Sequence, residues 1–241
     1  MKIGIFDSGR GGVTVMTEIQ KVLPEEEYIY LADSKNCPYG SKTVEELKEI
    51  VSHATDYLLR RGAKIIVIAC NTATTQMIGY LREKYPDVPF VGTEPAIKKA
   101  CDETKKGAEK KPAKILLMAT EGTAHSKRTE ELIKQNLRAG QMIEVVACEG
   151  LAKAIEEKNE VEIERVLSEV LSALKKSDRG EKKFFGQKRS KNNEFKTVIL
   201  GCTHYPLIRE QIQKKFPSAR LIDGNRGVAL EVKRVVEELE K

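Results

Sequence analysis

Two cysteines occupy matching positions in this sequence. Cys70 and Cys202 each follow a lysine and a short aliphatic run, at residues 64–69 and 196–201, and each is followed by polar residues. A continuous apolar run bounded by polar residues is typical of a strand buried on both faces of a parallel sheet. Ligands of open α/β sheets bind beyond the carboxyl ends of such strands. Both thiols are therefore predicted to lie where chemistry takes place.

Each thiol has a candidate partner for proton transfer. A cysteine with an ordinary pKa of about 8.5 is a poor base near neutral pH, so its surroundings must tune it. His204 comes two residues after Cys202, which on an extended segment returns it to the same side. Asp7, at the end of the first predicted strand, is the corresponding partner for Cys70.

Two opposed thiols of similar proton affinity suit the inversion of a stereocentre. One thiolate removes an α-proton from one face, and the other thiol returns a proton to the opposite face. Hydroxyl and amide groups near the thiols would hold carboxylates and stabilise the carbanion-like state through preorganised hydrogen bonds. The candidates for this task are Ser8, Ser41, Asn71, Thr72, Thr120, Thr123 and Thr203.

The elements that must position these groups occur twice. Four predicted strands in the first part of the chain, beginning near residues 2, 27, 64 and 88, recur in the same order near residues 114, 143, 196 and 219. We therefore predict an α/β fold of two similar doubly wound parallel-sheet domains, related by a pseudo-twofold axis, with the active site in the cleft between them. The first domain is predicted to comprise residues 1–97 plus 206–241, and the second residues 98–205.

Composition narrows the class of protein. The chain has 241 residues, of which 40% are hydrophobic and 32% charged, as in ordinary globular proteins. It has no apolar run long enough for a membrane span and begins with a strand pattern, so a cytoplasmic location is expected. Five cysteines without a CxxC pair favour free thiols over a disulfide framework or a zinc site.

The net charge of +6 is concentrated in one segment. Residues 176–193 contain seven basic and two acidic residues, so an excess of five falls on this predicted insertion in the second half. A nucleic-acid face would need basic residues placed across the fold. The segment is predicted to be a solvated loop, and no nucleic-acid partner is expected.

Several motifs together resemble those of the glutamate racemases. They are Asp7–Gly9, Pro38–Ser41, Cys70–Ala73, Gly122–Thr123 and Gly201–Pro206, in the order of that family. The resemblance implies a racemase without cofactor or metal that converts L-glutamate to D-glutamate for peptidoglycan synthesis. It also implies a homodimer.

The resemblance assigns roles to particular residues. Cys70 would exchange the proton of the D-enantiomer and Cys202 that of the L-enantiomer, with Asp7 assisting Cys70 and His204 assisting Cys202. The family also has a glutamate that assists the second thiol. Counting along the motif places it at Glu156, and Glu149, which stands where the family has proline, is the alternative. The substrate-binding residues implied are Asp7, Ser8, Pro38, Tyr39, Gly40, Ser41, Cys70, Asn71, Thr72, Thr120, Thr123, Cys202, Thr203 and His204.

Three alternatives stay open on the sequence. The first is an aspartate or other amino-acid racemase of the same superfamily. The second is a non-catalytic module that binds an amino acid or anion in the same cleft. A nucleic-acid contact through residues 176–191 is the third.

Overall fold

The computed structural model describes residues 1–104, 112–177 and 195–241, with the side chains of 176 and 177 left aside. The predicted basic insertion at 176–193 lies outside the described residues, except for the helix backbone at 176–177.

The described residues form two four-stranded parallel sheets. The first has the order β2-β1-β3-β4 and the second the order β6-β5-β7-β8. The strands are β1 (Lys2–Asp7), β2 (Glu27–Ala32), β3 (Ile65–Ile68), β4 (Phe90–Gly92), β5 (Ala113–Ala119), β6 (Gln141–Ala147), β7 (Thr197–Gly201) and β8 (Arg220–Ile222). The same strand order in both sheets confirms the predicted α/β fold with two similar parallel sheets.

Helices cover the faces of both sheets. They are α1 (Val13–Gln20), α2 (Val44–Arg60), α3 (Asn71–Lys84), α4 (Ile97–Glu103), α5 (Glu121–Ala124), α6 (Lys127–Asn136), α7 (Leu151–Glu156), α8 (Glu160–Ser177), α9 (Arg209–Lys215) and α10 (Asn225–Leu239). Thr43 and Glu46 form a capping box at the start of α2, because each side chain bonds the other residue's backbone N–H. None of the described helices combines the length and apolar character that a membrane span needs.

The central strands are buried on both faces. Every residue of β3, β5 and β7 is buried, whereas the edge strand β2 is only half-buried. Continuous apolar runs are what such a position demands, because a parallel sheet carries helices on both sides. Groups at the carboxyl ends of these central strands are therefore positioned by fully packed elements.

The C-terminal stretch divides differently from the predicted boundary. The sequence predicts that residues 206–241 belong to the first domain, but β8 pairs with β7 of the second sheet. Ile212 of α9 also joins the core that contains α8. Leu221 and Ile222 are buried there because they complete the apolar edge of the second sheet. Helix α10 does pack on the first unit, where Val232 shares a core with residues of α1 and β1. The chain thus returns to the first unit only after β8.

Candidate active site

Cys70 lies between the end of β3 and the start of α3. Its side chain is 4% exposed, and its thiol points at the hydroxyl of Ser8, with 3.8 Å between Sγ and Oγ. Burial raises the pKa of the Cys70 thiol, and the nearby carboxylate of Asp7 and the thiol of Cys202 raise it further. In the described structure Cys70 is therefore held as a protonated thiol, and the second thiol is close enough to influence it.

Asp7 lies fully buried at the end of β1. Its carboxylate accepts hydrogen bonds from the N–H groups of Gly12 at 2.8 Å and Gly9 at 3.3 Å, and from the hydroxyl of Thr203 at 3.2 Å. Burial raises the pKa of Asp7, while the charge of His204 and these hydrogen bonds act against the rise. Because Thr203 follows the second sheet, Asp7 joins the two units at the centre of the site.

Cys202, His204 and Glu156 form a chain of side chains. The Sγ of Cys202, itself buried after β7, lies 3.8 Å from Nδ1 of His204, and Nε2 of His204 lies 3.0 Å from the carboxylate of Glu156. Burial acts to lower the pKa of His204, but hydrogen bonds with Cys202, Cys37 and Glu156 raise it well above its ordinary value overall. The imidazole is therefore held protonated beside the sulfur of Cys202.

Glu156 is the glutamate that the fold brings to this histidine. The His204 ring, the Ser34 hydroxyl and the Arg10 N–H all donate to its carboxylate and lower the pKa of Glu156 to about 2. Glu149 is exposed, beside the start of α7, whereas Glu156 ends that helix. Of the two candidates left open by the motif, the structure places Glu156 against His204.

Three threonine hydroxyls meet where the two units face each other. Thr72, in the first turn of α3, lies 2.8 Å from Thr120 and 3.3 Å from Thr123 between hydroxyl oxygens. Thr120 and Thr123 are themselves 3.1 Å apart, and all three residues are buried. Each hydroxyl has one O–H donor, which can rotate from a neighbouring hydroxyl to a bound carboxylate, so the cluster is equipped to hold an anionic group.

In the loop Pro38–Ser41, two side chains that are expected to bind substrate make hydrogen bonds within the protein instead. The hydroxyl of Tyr39 donates to Asp33 at 2.8 Å, and the exposed Ser41 donates to the carbonyl of Pro38. Gly40 packs so close to Thr120 that a Cβ atom there would come within 2.9 Å of it. Pro38, Gly40 and Ser41, together with Thr120, line a small cavity that also borders Cys148 and Glu149.

Other predicted binding residues lie at the same place. Asn71 directly follows Cys70 in the chain, and Ser8 reaches it from the turn after β1; both residues are buried. The Thr203 hydroxyl donates to Asp7. The structure thus brings the thiols, Asp7, His204, Glu156 and the threonine cluster to one interface. The hydroxyls of Tyr39 and Ser41 instead donate to nearby residues of the segment after β2.

Three groups around Glu156 and His204 were given no role on the sequence. They are Arg10, Ser34 and Cys37, which stands in a loop expected to line the site and whose thiol lies against His204. Within the described part of the chain, Cys37, Glu156 and His204 form a group of potential metal ligands, with ligand atoms within 4.8 Å of one another. No local spacing links Cys37, Glu156 and His204, because they lie far apart in the chain.

Known proteins resemble this chain in both sequence and fold. The family profile described as Asp/Glu/Hydantoin racemase matches residues 3–181. The glutamate racemase of Clostridium novyi (strain NT) is 40% identical over 238 residues, which cover 97% of this chain and 83% of that protein. The chain superposes on Escherichia coli glutamate racemase in complex with L-glutamate and the activator UDP-MurNAc-ala with a TM-score of 0.78. That structure is 32% identical, and the match covers 98% of this chain and 82% of that one.

A second solved structure shows the same relationship. Glutamate racemase from Francisella tularensis, in complex with D-glutamate, has a TM-score of 0.75 and 25% identity, with 99% of this chain and 82% of that one covered. Sequence and structure together show that this chain belongs to the glutamate racemases of the Asp/Glu/hydantoin racemase family.

Proposed function

We propose that Cys70 and Cys202 act as the two acid–base groups that interconvert L- and D-glutamate in this chain. The observation that carries the proposal is the placement of two buried thiols at equivalent strand ends of two like sheets, each close to its own ionisable partner. The substrate class follows from membership of the family and from relatives whose structures hold L-glutamate and D-glutamate.

The proton moves between two faces of the substrate. With L-glutamate, the thiolate of Cys202 takes the α-proton and becomes a thiol, and the thiol of Cys70 gives its proton to the opposite face. With D-glutamate the same steps run in reverse, so that no group other than the two thiols changes in net protonation.

The two thiols need opposite resting states for the L-to-D direction. On the Cys202 side, the protonated ring of His204 is held by Glu156 and lies against the sulfur. Burial and the negative charge of Asp7 raise the pKa of Cys70 and keep it protonated. This asymmetry prepares the site for the L-enantiomer, and the threonine cluster of Thr72, Thr120 and Thr123 would hold a substrate carboxylate beside the thiols.

The biological role follows from the family. D-Glutamate made by such an enzyme is a building block for peptidoglycan, and we propose that role for this chain. The homodimer and the cytoplasmic location implied at the outset remain predictions, to be tested by sedimentation and by cell fractionation.

The deciding experiment follows both inversion and exchange. The protein is incubated with L-glutamate in deuterated water without added cofactor, and we expect optical rotation to decay to zero while α-deuterium enters the D-enantiomer. Cys70→Ala and Cys202→Ala should each lower the rate by about 10²- to 10⁴-fold, the usual contribution of a general acid or base.

Cys101→Ala serves as the matched control. Cys101 is a buried thiol of α4, packed in the core beside Ile97 and Ala100, so its removal should leave the rate within about twofold of the unsubstituted protein. Undiminished racemisation in either active-site variant would contradict the two-thiol assignment. Turnover of aspartate and not glutamate would overturn the substrate, and retention of binding without any turnover would favour the module that only binds.

A further inference from the structure

Cys37, Glu156 and His204 bring three different metal-ligating groups together from distant parts of the chain. Their sulfur, oxygen and nitrogen atoms all lie within 4.8 Å of one another. Cys37 follows β2 in the first unit, whereas Glu156 ends α7 and His204 follows β7 in the second. The proposed reaction leaves the thiol of Cys37 without a task.

The donor set matches the preferences of zinc. Thiolate, imidazole and carboxylate are its usual ligands, at distances of about 2.0–2.3 Å, so donor atoms of a tetrahedral site lie about 3.3–3.6 Å apart. His204 and Glu156 are already 3.0 Å apart, and the Cys37 sulfur needs to approach by at most about 1.2–1.5 Å. Magnesium and calcium prefer all-oxygen sites, so the soft sulfur selects against them.

The surroundings both support and weaken such a site. The Ser34 hydroxyl and the Arg10 N–H hold the carboxylate of Glu156 in place, as outer partners do in metal sites. The guanidinium of Arg10 lies 3.9 Å from the same carboxylate, and its positive charge opposes a bound cation. Cys37 and Glu156 are partly exposed, so the cluster can be reached from solvent, unlike the buried thiols of Cys70 and Cys202.

We propose that Cys37, Glu156 and His204 bind a zinc-class divalent cation and that the bound cation inhibits racemisation. Binding forms one bond each to sulfur, nitrogen and oxygen, and releases to solvent the thiol proton and the proton shared by His204 and Glu156. No group is oxidised or reduced. With the cation bound, the imidazole of His204 is a metal ligand and no longer carries the proton that it holds in the metal-free protein beside Cys202. The cation also links the first unit to the second.

Binding is tested on the full chain without using substrate. The double variant Cys70→Ala, Cys202→Ala removes the other thiols of the site as ligands, and it is titrated with Zn²⁺ by calorimetry and with Co²⁺ by absorption. We expect one equivalent of either metal, with the near-ultraviolet thiolate-to-cobalt charge-transfer band of a single sulfur ligand. Adding Cys37→Ser should remove that band and weaken Zn²⁺ binding by about tenfold or more, since serine is a poor zinc ligand.

A matched substitution controls for loss of any thiol. Cys101→Ser in the same double variant removes a thiol from the core around α4 and should leave both the band and the zinc affinity unchanged. A charge-transfer band that survives Cys37→Ser would overturn the proposal. So would the loss of all zinc binding in the double alanine variant, which would place the metal on Cys70 and Cys202.

The inhibition arm rests on the proposed function, and the binding arm does not. With the catalytic thiols intact, Zn²⁺ should inhibit racemisation reversibly, and a chelator should restore it. Cys37→Ser should raise the inhibition constant by about tenfold or more, each protein being referred to its own metal-free rate. Stoichiometric binding at Cys37 without inhibition would refute the inhibitory role, whereas absence of racemisation in metal-free buffer would count against the proposed function alone.

Discussion

At the scale of single residues, two glutamates seven positions apart have different surroundings. Glu149 is exposed, whereas the carboxylate of Glu156 accepts from His204, Ser34 and Arg10. A carboxylate that accepts three hydrogen bonds is stabilised in its charged form, and the charge in turn holds the imidazole of His204 protonated. The chemistry of Cys202 therefore depends on a residue that does not touch it.

Glu156→Gln should lower kcat/KM by about tenfold or more, equal to about 1.4 kcal/mol of transition-state stabilisation. The neutral amide keeps the size of the side chain but not the charge that stabilises the His204 imidazolium. We expect the loss mainly in kcat, with a shifted pH profile, because Glu156 acts through His204 and not on the substrate. Steady-state kinetics in both directions measure it.

Glu149→Gln is the matched control for this substitution. The same change at an exposed position of the same segment should leave kcat, KM and the pH profile as they are. The reverse outcome, with Glu149→Gln impaired and Glu156→Gln normal, would assign the glutamate role to Glu149.

At the scale of elements, the turn after β1 is as tightly packed as the core. A Cβ atom at Gly11 would come within 2.7 Å of the backbone nitrogen and Nδ1 of His204. One at Gly9 would come within 2.6 Å of the Glu156 carboxylate. The glycines of this turn thus let the first unit approach the acid–base groups of the second. By contrast, a Cβ atom at Gly79 in α3 would meet nothing within 4 Å.

The two glycine positions predict opposite effects of the same substitution. Gly11→Ala should displace His204 and lower kcat/KM by about 100-fold, the cost of a displacement near 1 Å. Gly79→Ala should stabilise the protein by about 0.5–1 kcal/mol because glycine is entropically unfavourable inside a helix. Denaturant unfolding and steady-state kinetics on both variants measure these effects. Normal kinetics in a folded Gly11→Ala protein would show that the turn yields without moving His204.

At the scale of the whole molecule, the site is an interface between two similar units. Contacts across it include Thr203 with Asp7, Thr72 with Thr120, and Arg10 with Glu156. Each contact joins a residue of the first unit to a residue of the second, so neither unit carries a complete site. Burial also raises the pKa of several thiols, both at this interface and away from it. The free energy of unfolding should therefore depend on pH.

Cys101 offers a clean test of that linkage. Burial, with a smaller contribution from Asp102, raises the pKa of its thiol to about 11. An acid whose pKa is raised on folding contributes stability below its unfolded pKa and loses it as pH rises, because the unfolded chain then releases the proton first. The loss attributable to Cys101 should reach about 1.3 kcal/mol between about pH 7.5 and about pH 10, given an ordinary thiol pKa of 9.0 in the unfolded chain.

The measurement compares two proteins at two pH values. The free energy of unfolding of the unsubstituted chain should fall by about 1.3 kcal/mol more than that of Cys101→Ala between about pH 7.5 and about pH 10. The cavity left by the substitution lowers stability at both pH values and cancels in this difference. Equal pH dependence of the two proteins would mean that Cys101 titrates normally in the folded chain.

The sequence by itself determined the repeated strands, the placement of both thiols at strand ends and the family. These follow from local patterns: an apolar run marks a buried strand wherever it lies, and the motifs around Cys70 and Cys202 are contiguous. Only the tertiary structure decided that Glu156 and not Glu149 faces His204, that Cys37 joins them, and that β8 belongs to the second sheet while α10 returns to the first. Such contacts join residues far apart in the chain, and they depend on how two packed units meet, which no local spacing records.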